Sequence, residues 1–183
     1  MEGMQRPGRA WITLNLAHLR HNVAVLQARL PLGCQLMPVV KANAYGHGSV
    51  PIARELNSLG IRAFCVATAE EGAELRRYGI AGDILILGFT PLEEIALVRR
   101  YDLIQTVVDW EYARQLNELS GPIRVHVAVD TGMHRLGERW EHLERICAVY
   151  AMEHLQVEGI FTHLCADDTD APRDRAFTAG QAE

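Results

Sequence analysis

No apolar run in this 183-residue chain approaches the roughly 20 residues that a bilayer-spanning helix requires, so no membrane segment is expected within it. The chain also has no excess of positive charge. Its formal net charge is -5, and its 18 lysines and arginines are scattered. That excludes the electrostatic footprint of a nucleic-acid partner and the polybasic patch of a membrane-surface protein. Cysteines at metal-site spacing are lacking too. Cys34, Cys65, Cys147 and Cys165 make no CxxC, which points to reduced thiols rather than a disulfide framework or a zinc site. His163 and Cys165, two residues apart, are the one suggestive pair, and no metal is expected from them. The polar segment 1–9 lacks the apolar core of a signal peptide. A cytoplasmic protein is the resulting expectation, with room for a membrane anchor elsewhere in a longer parent. Finally, there is no GxGxxG or Walker-type motif.

What is present is an ordinary globular composition, 49% hydrophobic and 22% charged, sufficient for one domain with a substantial core. Apolar runs alternate with amphipathic stretches. Residues 11–16 read as a short strand. Leu19, Val23, Leu26 and Leu30 recur at helical spacing within 17–30. A strand over 35–40 ends at Lys41, and a helix over 49–59 carries Pro51 in its first turn. Further strands are expected over 63–67, 83–87, 103–108, 123–129 and 157–162. Helices fall between them, over 69–78, 91–101, 109–119 and 139–152. Gly79 closes the helix over 69–78, and Asp109 is the expected N-cap of the helix over 109–119. The polar tail from 167 reads as loop and then weak helix.

Strands such as Ile84-Leu85-Ile86-Leu87 are continuously apolar rather than alternating. That pattern belongs to parallel strands covered on both faces. Six strand–helix units counted from Gln35, the last without a firm helix, leave a doubly wound sheet or a (β/α)8 barrel. The doubly wound sheet announces itself with a glycine-rich turn after its first strand. Here that strand runs into Lys41-Ala42-Asn43-Ala44-Tyr45-Gly46-His47-Gly48. The expected fold is therefore α/β, a TIM-barrel type of about six βα units.

In such a barrel the functional groups sit at the C-terminal strand ends. The residues there are Lys41 with Tyr45, Gly88, Asp130 with Arg135, and His163. Lys41 directly follows Met37-Pro38-Val39-Val40, where an amine can react with an aldehyde cofactor or simply snorkel to water. Tyr45 stands beside Gly46 and near Gly48. It either lends its hydroxyl to a phosphate cradle or packs over the loop. Arg135 suits a carboxylate or phenolate oxygen, or pairs with Asp130. His163 stacks on a planar cofactor or is satisfied inside the barrel.

Residues Val39-Val40-Lys41-Ala42-Asn43-Ala44-Tyr45-Gly46-His47-Gly48 resemble the cofactor-binding signature of alanine racemases. Val129-Asp130-Thr131-Gly132-Met133-His134-Arg135-Leu136-Gly137 and Gly159-Ile160-Phe161-Thr162-His163 are similar to two further segments of that family. Trp11-Ile12-Thr13-Leu14-Asn15-Leu16 with Arg20-His21-Asn22 fits its opening, so the likeness runs in order from about Arg9 to about Asp168. The resemblance implies an isomerase that uses pyridoxal 5'-phosphate to interconvert the L and D forms of alanine or serine. It implies a complete barrel followed by a β domain, acting as a homodimer. By the same likeness Lys41 holds the cofactor's aldehyde and, once freed, acts as base on one face of the substrate carbon. Tyr45 touches the phosphate, and Arg135 meets the phenolic oxygen and the substrate carboxylate. His163 lies against the pyridine ring, and Leu87 lines it. The second base is a tyrosine from the partner's β domain.

A whole barrel takes about 250 residues. The likeness therefore assigns residues 1–183 to the N-terminal, cofactor-holding portion of such an enzyme, without the last barrel strands and the β domain, and not active alone. One position departs from the usual pattern. Ala128 stands where many alanine racemases carry a carbamylated lysine that orients the arginine. That replacement, with His163-Leu164-Cys165 following, resembles the membrane-anchored serine/alanine racemases linked to vancomycin resistance. The rival readings are a barrel amino-acid decarboxylase of the same cofactor fold, a non-catalytic cofactor-binding or assembly module, and a plain structural fragment whose site is not formed.

Overall fold

The computed structural model describes residues 9–166 and 169–183. The leaderless reading of the extreme N-terminus and the far end of the family likeness lie outside the described residues. The chain opens with helix α1 (Leu16–Gln27), a single turn α2 (Lys41–Tyr45) and helix α3 (Ser49–Ser58). Strands and helices then alternate as β1 (Ala63–Val66), α4 (Ala69–Arg77), β2 (Asp83–Ile86), α5 (Ile95–Arg100), β3 (Ile104–Val107), α6 (Trp110–Glu118) and β4 (Ile123–Asp130). A two-residue strand β5 (Glu138–Arg139), helix α7 (Leu143–Val149), strand β6 (Leu155–Phe161) and helix α8 (Pro172–Ala182) complete it.

β1, β2, β3, β4 and β6 lie side by side, all parallel, in chain order. The segment leading to Lys41 adds to the free edge of β1. Val39 bridges Cys65, the Val40 N–H donates to the Cys65 carbonyl at 2.8 Å, and the Cys65 N–H donates to the Pro38 carbonyl at 2.9 Å. A doubly wound sheet reverses its strand order at a switch point. This one never does, so of the two architectures left open by the sequence it is the barrel arc.

Side-chain alternation splits the sheet into two apolar layers. Phe64, Val66, Ile84, Ile86, Val125 and Val127 face the helices and form the main core with Leu75, Val98 and Leu116. Cys65, Leu85 and Ile104 face the other way, into the barrel, against Met37, Leu87 and Phe161. Burying each large side chain contributes about 1.5–3 kcal/mol, so both faces of the sheet are held. At the N-terminal end of the strands Arg124 closes the floor. Its guanidinium donates to Asp83 at 2.7 Å, Asp102 at 3.0 Å and Glu158 at 2.7 Å, which links β2, β4 and β6.

Helix caps follow the sequence. Asp109 accepts the Tyr112 N–H at 2.7 Å, as expected, and Thr68 accepts the Glu71 N–H at 3.3 Å. Four expectations change. Residues 11–16 form no strand, because the Asn15 side chain accepts the Ala17 and His18 N–H groups and starts α1 instead. The strand over 35–40 shrinks to the Val39 bridge, beside Pro38, which has no N–H to give. The helix over 91–101 opens as a tight turn (Leu92–Glu94) before α5. The helix over 139–152 contracts to α7, since Glu138 and Arg139 pair with Val129 and Asp130 of β4. The tail forms the expected helix α8, with Pro172 in its first turn.

Gly82 turns the chain into β2 at φ 99°, and an added Cβ would sit 2.1 Å from the Arg62 carbonyl oxygen. Gly82→Ala is expected to cost about 2 kcal/mol or more through strain and displacement, read as a lowered midpoint in urea unfolding with an unchanged slope.

Candidate active site

Every second residue of a barrel strand points inward, so the last inward residue of each strand stands at the rim. These rim positions bound a cavity of about 360 Å³ at the C-terminal strand ends. Lys41, Tyr45, Leu87, Arg135 and His163, the five residues singled out from the sequence, all line it. Gly88 and Asp130 line it as well. Lys41 and Leu87 are half-buried, whereas Tyr45, Arg135 and His163 are exposed. Among the described residues, neither Lys41 nor Arg135 forms an ion pair. The expected alternative for Arg135, a pair with Asp130, does not form.

One signal in the sequence was stronger than its motif. Lys41 is the only lysine in the chain. With the N-terminal α-amino group, it is one of two amines that an aldehyde can meet. A count of lysines alone finds this residue.

The turn that carries Lys41 is unusual. Ala42, Asn43, Ala44 and Tyr45 all have φ between 50° and 55°, in the left-handed region. Each such residue costs on the order of 1 kcal/mol, so the turn must be held from outside. It is held by several bonds. The Ala44 N–H donates to the Val40 carbonyl at 2.9 Å, and the Gly48 N–H to the Asn43 carbonyl at 2.8 Å. Asn43 Oδ1 accepts the Ser49 N–H at 2.9 Å. His47 Nδ1 lies 2.8 Å from the Ala44 carbonyl. Left-handed winding turns Tyr45 toward the same cavity as Lys41, four residues earlier. Gly46 and Gly48 continue at φ 88° and 94°, which explains the glycines of the signature.

Asp130 is buried and organises the loop bearing Arg135. Its Oδ1 accepts the Gly132 N–H at 3.0 Å and the His134 N–H at 2.9 Å, while Oδ2 lies 2.9 Å from His134 Nδ1. Burial pushes the Asp130 carboxyl up, but the bonds to His134 and Gly132 together outweigh it and hold the group below the usual carboxylate range. His134 occupies a left-handed position at φ 56° without being glycine, and its ring bond to Asp130 offsets that strain. Gln181 of α8 ties the neighbouring rim. Its Nε2 donates to Thr131 Oγ1 at 3.1 Å and to the His163 carbonyl at 3.2 Å. Sequence reading missed Gln181, because its partners lie 50 and 18 residues away. Ala128 lies on the cavity wall, two residues before Asp130. Cys65 belongs to the inner apolar layer, where burial pushes its thiol up to about 11. It is a neutral wall there, not a nucleophile.

The N-terminal domain model of alanine racemase matches residues 14–183. The chain belongs to the alanine racemase family. It is similar to an amino-acid racemase of Enterococcus faecalis, 43% identical over 93% of this chain and 24% of that protein. It is 41% identical to the alanine racemase of Carboxydothermus hydrogenoformans over 94% of this chain and 47% of that one. Among solved structures, alanine racemase of Clostridium difficile 630 superposes with a TM-score of 0.84 at 33% identity, covering 94% of this chain and 48% of that chain. The chain thus spans about a quarter of the first relative and about half of the other two.

Alanine racemase family enzymes depend on pyridoxal phosphate. The donor set of the cavity fits that group: one amine for an aldehyde, a phenol and a guanidinium for anionic oxygens, an imidazole and Leu87 for an aromatic ring.

Asp130→Asn removes acceptor capacity at a buried site and is expected to cost about 1–3 kcal/mol. The lowered Asp130 pKa contributes stability that is full above the unfolded value near 3.8 and is lost as pH falls through the folded value. The variant is therefore expected to show a shallower loss of stability on acidification, measured by urea unfolding between neutral and acid pH.

Proposed function

We propose that this chain is the N-terminal, cofactor-holding portion of a pyridoxal-phosphate-dependent amino-acid racemase acting on alanine or serine. One observation carries the reading. The single lysine of the chain opens into the same cavity as Tyr45, Leu87, Arg135 and His163.

When bound, pyridoxal phosphate supplies an electron sink that stabilises the carbanion left by loss of the α-proton. The chain's residues divide the remaining work. Lys41 would hold the cofactor through its amine and, with that amine free, would take or return the α-proton on one face. Its place just before the left-handed turn, whose Ala44 N–H is bonded to the Val40 carbonyl, keeps that amine at the rim. Tyr45 donates its hydroxyl to the phosphate. Arg135, free of any ion pair with a described residue, orients the substrate carboxylate and meets the phenolic oxygen. His163 and Leu87, on the cavity wall, would contact the ring. Inversion needs an acid–base group on the opposite face as well. We assign that group to a second subunit in a homodimer of the longer protein, in keeping with the fraction of its relatives that this chain spans. Residues 1–183 then form one barrel portion, with the remaining strands and the β domain belonging to the parent.

The finer choices follow from the same site. Ala128 on the cavity wall leaves Arg135 without a lysine neighbour there, which favours the serine/alanine branch of the family. None of the described helices is long and apolar enough to cross a membrane. Cys34, Cys65, Cys147 and Cys165 are all free thiols, which supports a reducing, cytoplasmic compartment for this portion.

Mixing the chain with pyridoxal phosphate, reducing with borohydride and mapping peptides by mass tests the reading. A single adduct on Lys41 is expected, lost in Lys41→Ala and reduced about 3- to 10-fold in occupancy at limiting cofactor in Tyr45→Phe, the equivalent of one hydrogen bond to a charged group. Labelling of the N-terminal amine alone would contradict it. Carbon dioxide release from amino acids by the parent protein would replace racemase with decarboxylase.

A further inference from the structure

We propose that Glu71 is a positioning residue for Lys41, its carboxylate clamping the left-handed turn onto the end of β1. The inference rests on the reading of Lys41 as the cofactor-holding amine.

The two oxygens of Glu71 serve two different strand ends. Oε1 accepts the N–H of Ala42, the residue after Lys41, at 2.7 Å. Oε2 accepts the N–H of Ala67, the first residue past β1, at 2.7 Å. Both are short, charge-assisted bonds to backbone groups. Thr68 and Glu71 stand at capping-box spacing, and Thr68 does accept the Glu71 N–H. In such a box the third-residue carboxylate returns to the N–H of the capping residue itself. Here it reaches one residue further back and spends its other oxygen on a separate segment. Serving the helix alone does not require that. Ala67 and Lys41 both line the cavity, so the clamp joins two neighbouring pieces of its rim.

The location explains the need. Ala42 is the first of the left-handed residues, at φ 50°, and its amide is the hinge at which the turn can unwind. With that amide fixed to Glu71, the Lys41 backbone keeps one orientation. With it free, the turn relaxes and the Cα–Cβ bond of Lys41 swings away from the rim. Asp at this position is one methylene too short to span both amides. Gln keeps one acceptor oxygen and loses the charge.

Two readouts on the full chain test the clamp, and neither is turnover. Amide hydrogen exchange is followed at Ala42 and Ala67, with Leu116 in α6 as an internal control. The rate of borohydride-trapped capture of pyridoxal phosphate at Lys41 is followed in parallel. Glu71→Ala is expected to speed exchange at Ala42 and Ala67 by about tenfold or more and to slow capture by a similar factor, the size of one lost charge-assisted bond. Leu116 exchange stays unchanged, which a general loss of stability would not allow. Glu71→Gln is expected to fall between the two, and it carries the test if Glu71→Ala does not fold. Exchange at Ala42 within twofold of wild type in both variants overturns the proposal. So does faster exchange with unchanged capture. If wild type captures no cofactor at Lys41, the reading of Lys41 fails and with it the positioning role, while the exchange arm still decides whether Glu71 holds the turn.

Discussion

The site depends on the parity of parallel strands. Because strand side chains alternate, an arc of parallel strands in chain order aims one residue of every pair at a shared interior. The last inward residue of each strand must then stand at the rim. Along β4 the inward column runs from Arg124 through His126 and Ala128 to Asp130. Arg124 closes the floor with three carboxylates, and Ala128 and Asp130 line the cavity. The outward residues of the same strand, Val125 and Val127, are packed under the helices. A shift of one residue in any strand would bury the rim groups in the helix layer and expose the core. Packing energy thus fixes functional geometry without any contact to a ligand.

Parity alone brings the groups near each other. Polar anchors then fix the loops. Three side chains that bond to backbone groups, two of them across long sequence separations, tie the rim together. Glu71 joins the Lys41 turn to β1, Asp130 holds the Arg135 loop, and Gln181 bridges Thr131 to the His163 carbonyl. The backbone they hold is strained at Ala42, Asn43, Ala44, Tyr45 and His134. Strain of this kind persists only where the surroundings over-determine it. The three cationic or ionisable groups meant for the ligand, Lys41, Arg135 and His163, make no side-chain ion pair with any described residue. The anchors are satisfied by protein, and the ligand-facing groups are left open at the mouth.

Much of this was legible in the sequence, and the exceptions share a cause. Continuous apolar runs located β1 and β2, because burial on both faces leaves no room for alternation there, while β4 and β6 keep apolar residues at every second position. The helix starts at Asp109 and the glycines after Tyr45 were readable because they act locally. The five rim residues were readable because strand ends are. What escaped was non-local. Asn15 took residues 11–16 out of the strand class by capping α1, and β5 displaced a helix start by pairing with β4. Thr68 and Glu71 stand at capping-box spacing in the sequence, but only the fold shows an oxygen of Glu71 on Ala42. The pairing of Asp130 with His134 rather than Arg135 depends on a left-handed backbone at His134 that no spacing rule foretells.

The central claim is that the strand ends assemble a pyridoxal-phosphate site around the single lysine. A crystal structure of the chain grown with pyridoxal phosphate tests it most directly. The account predicts density continuous from Lys41 Nζ into the rim cavity, with the phosphate at Tyr45 and the ring between Leu87 and His163. Density attached to the N-terminal amine, or a cofactor seated elsewhere with Lys41 turned to solvent, would contradict it.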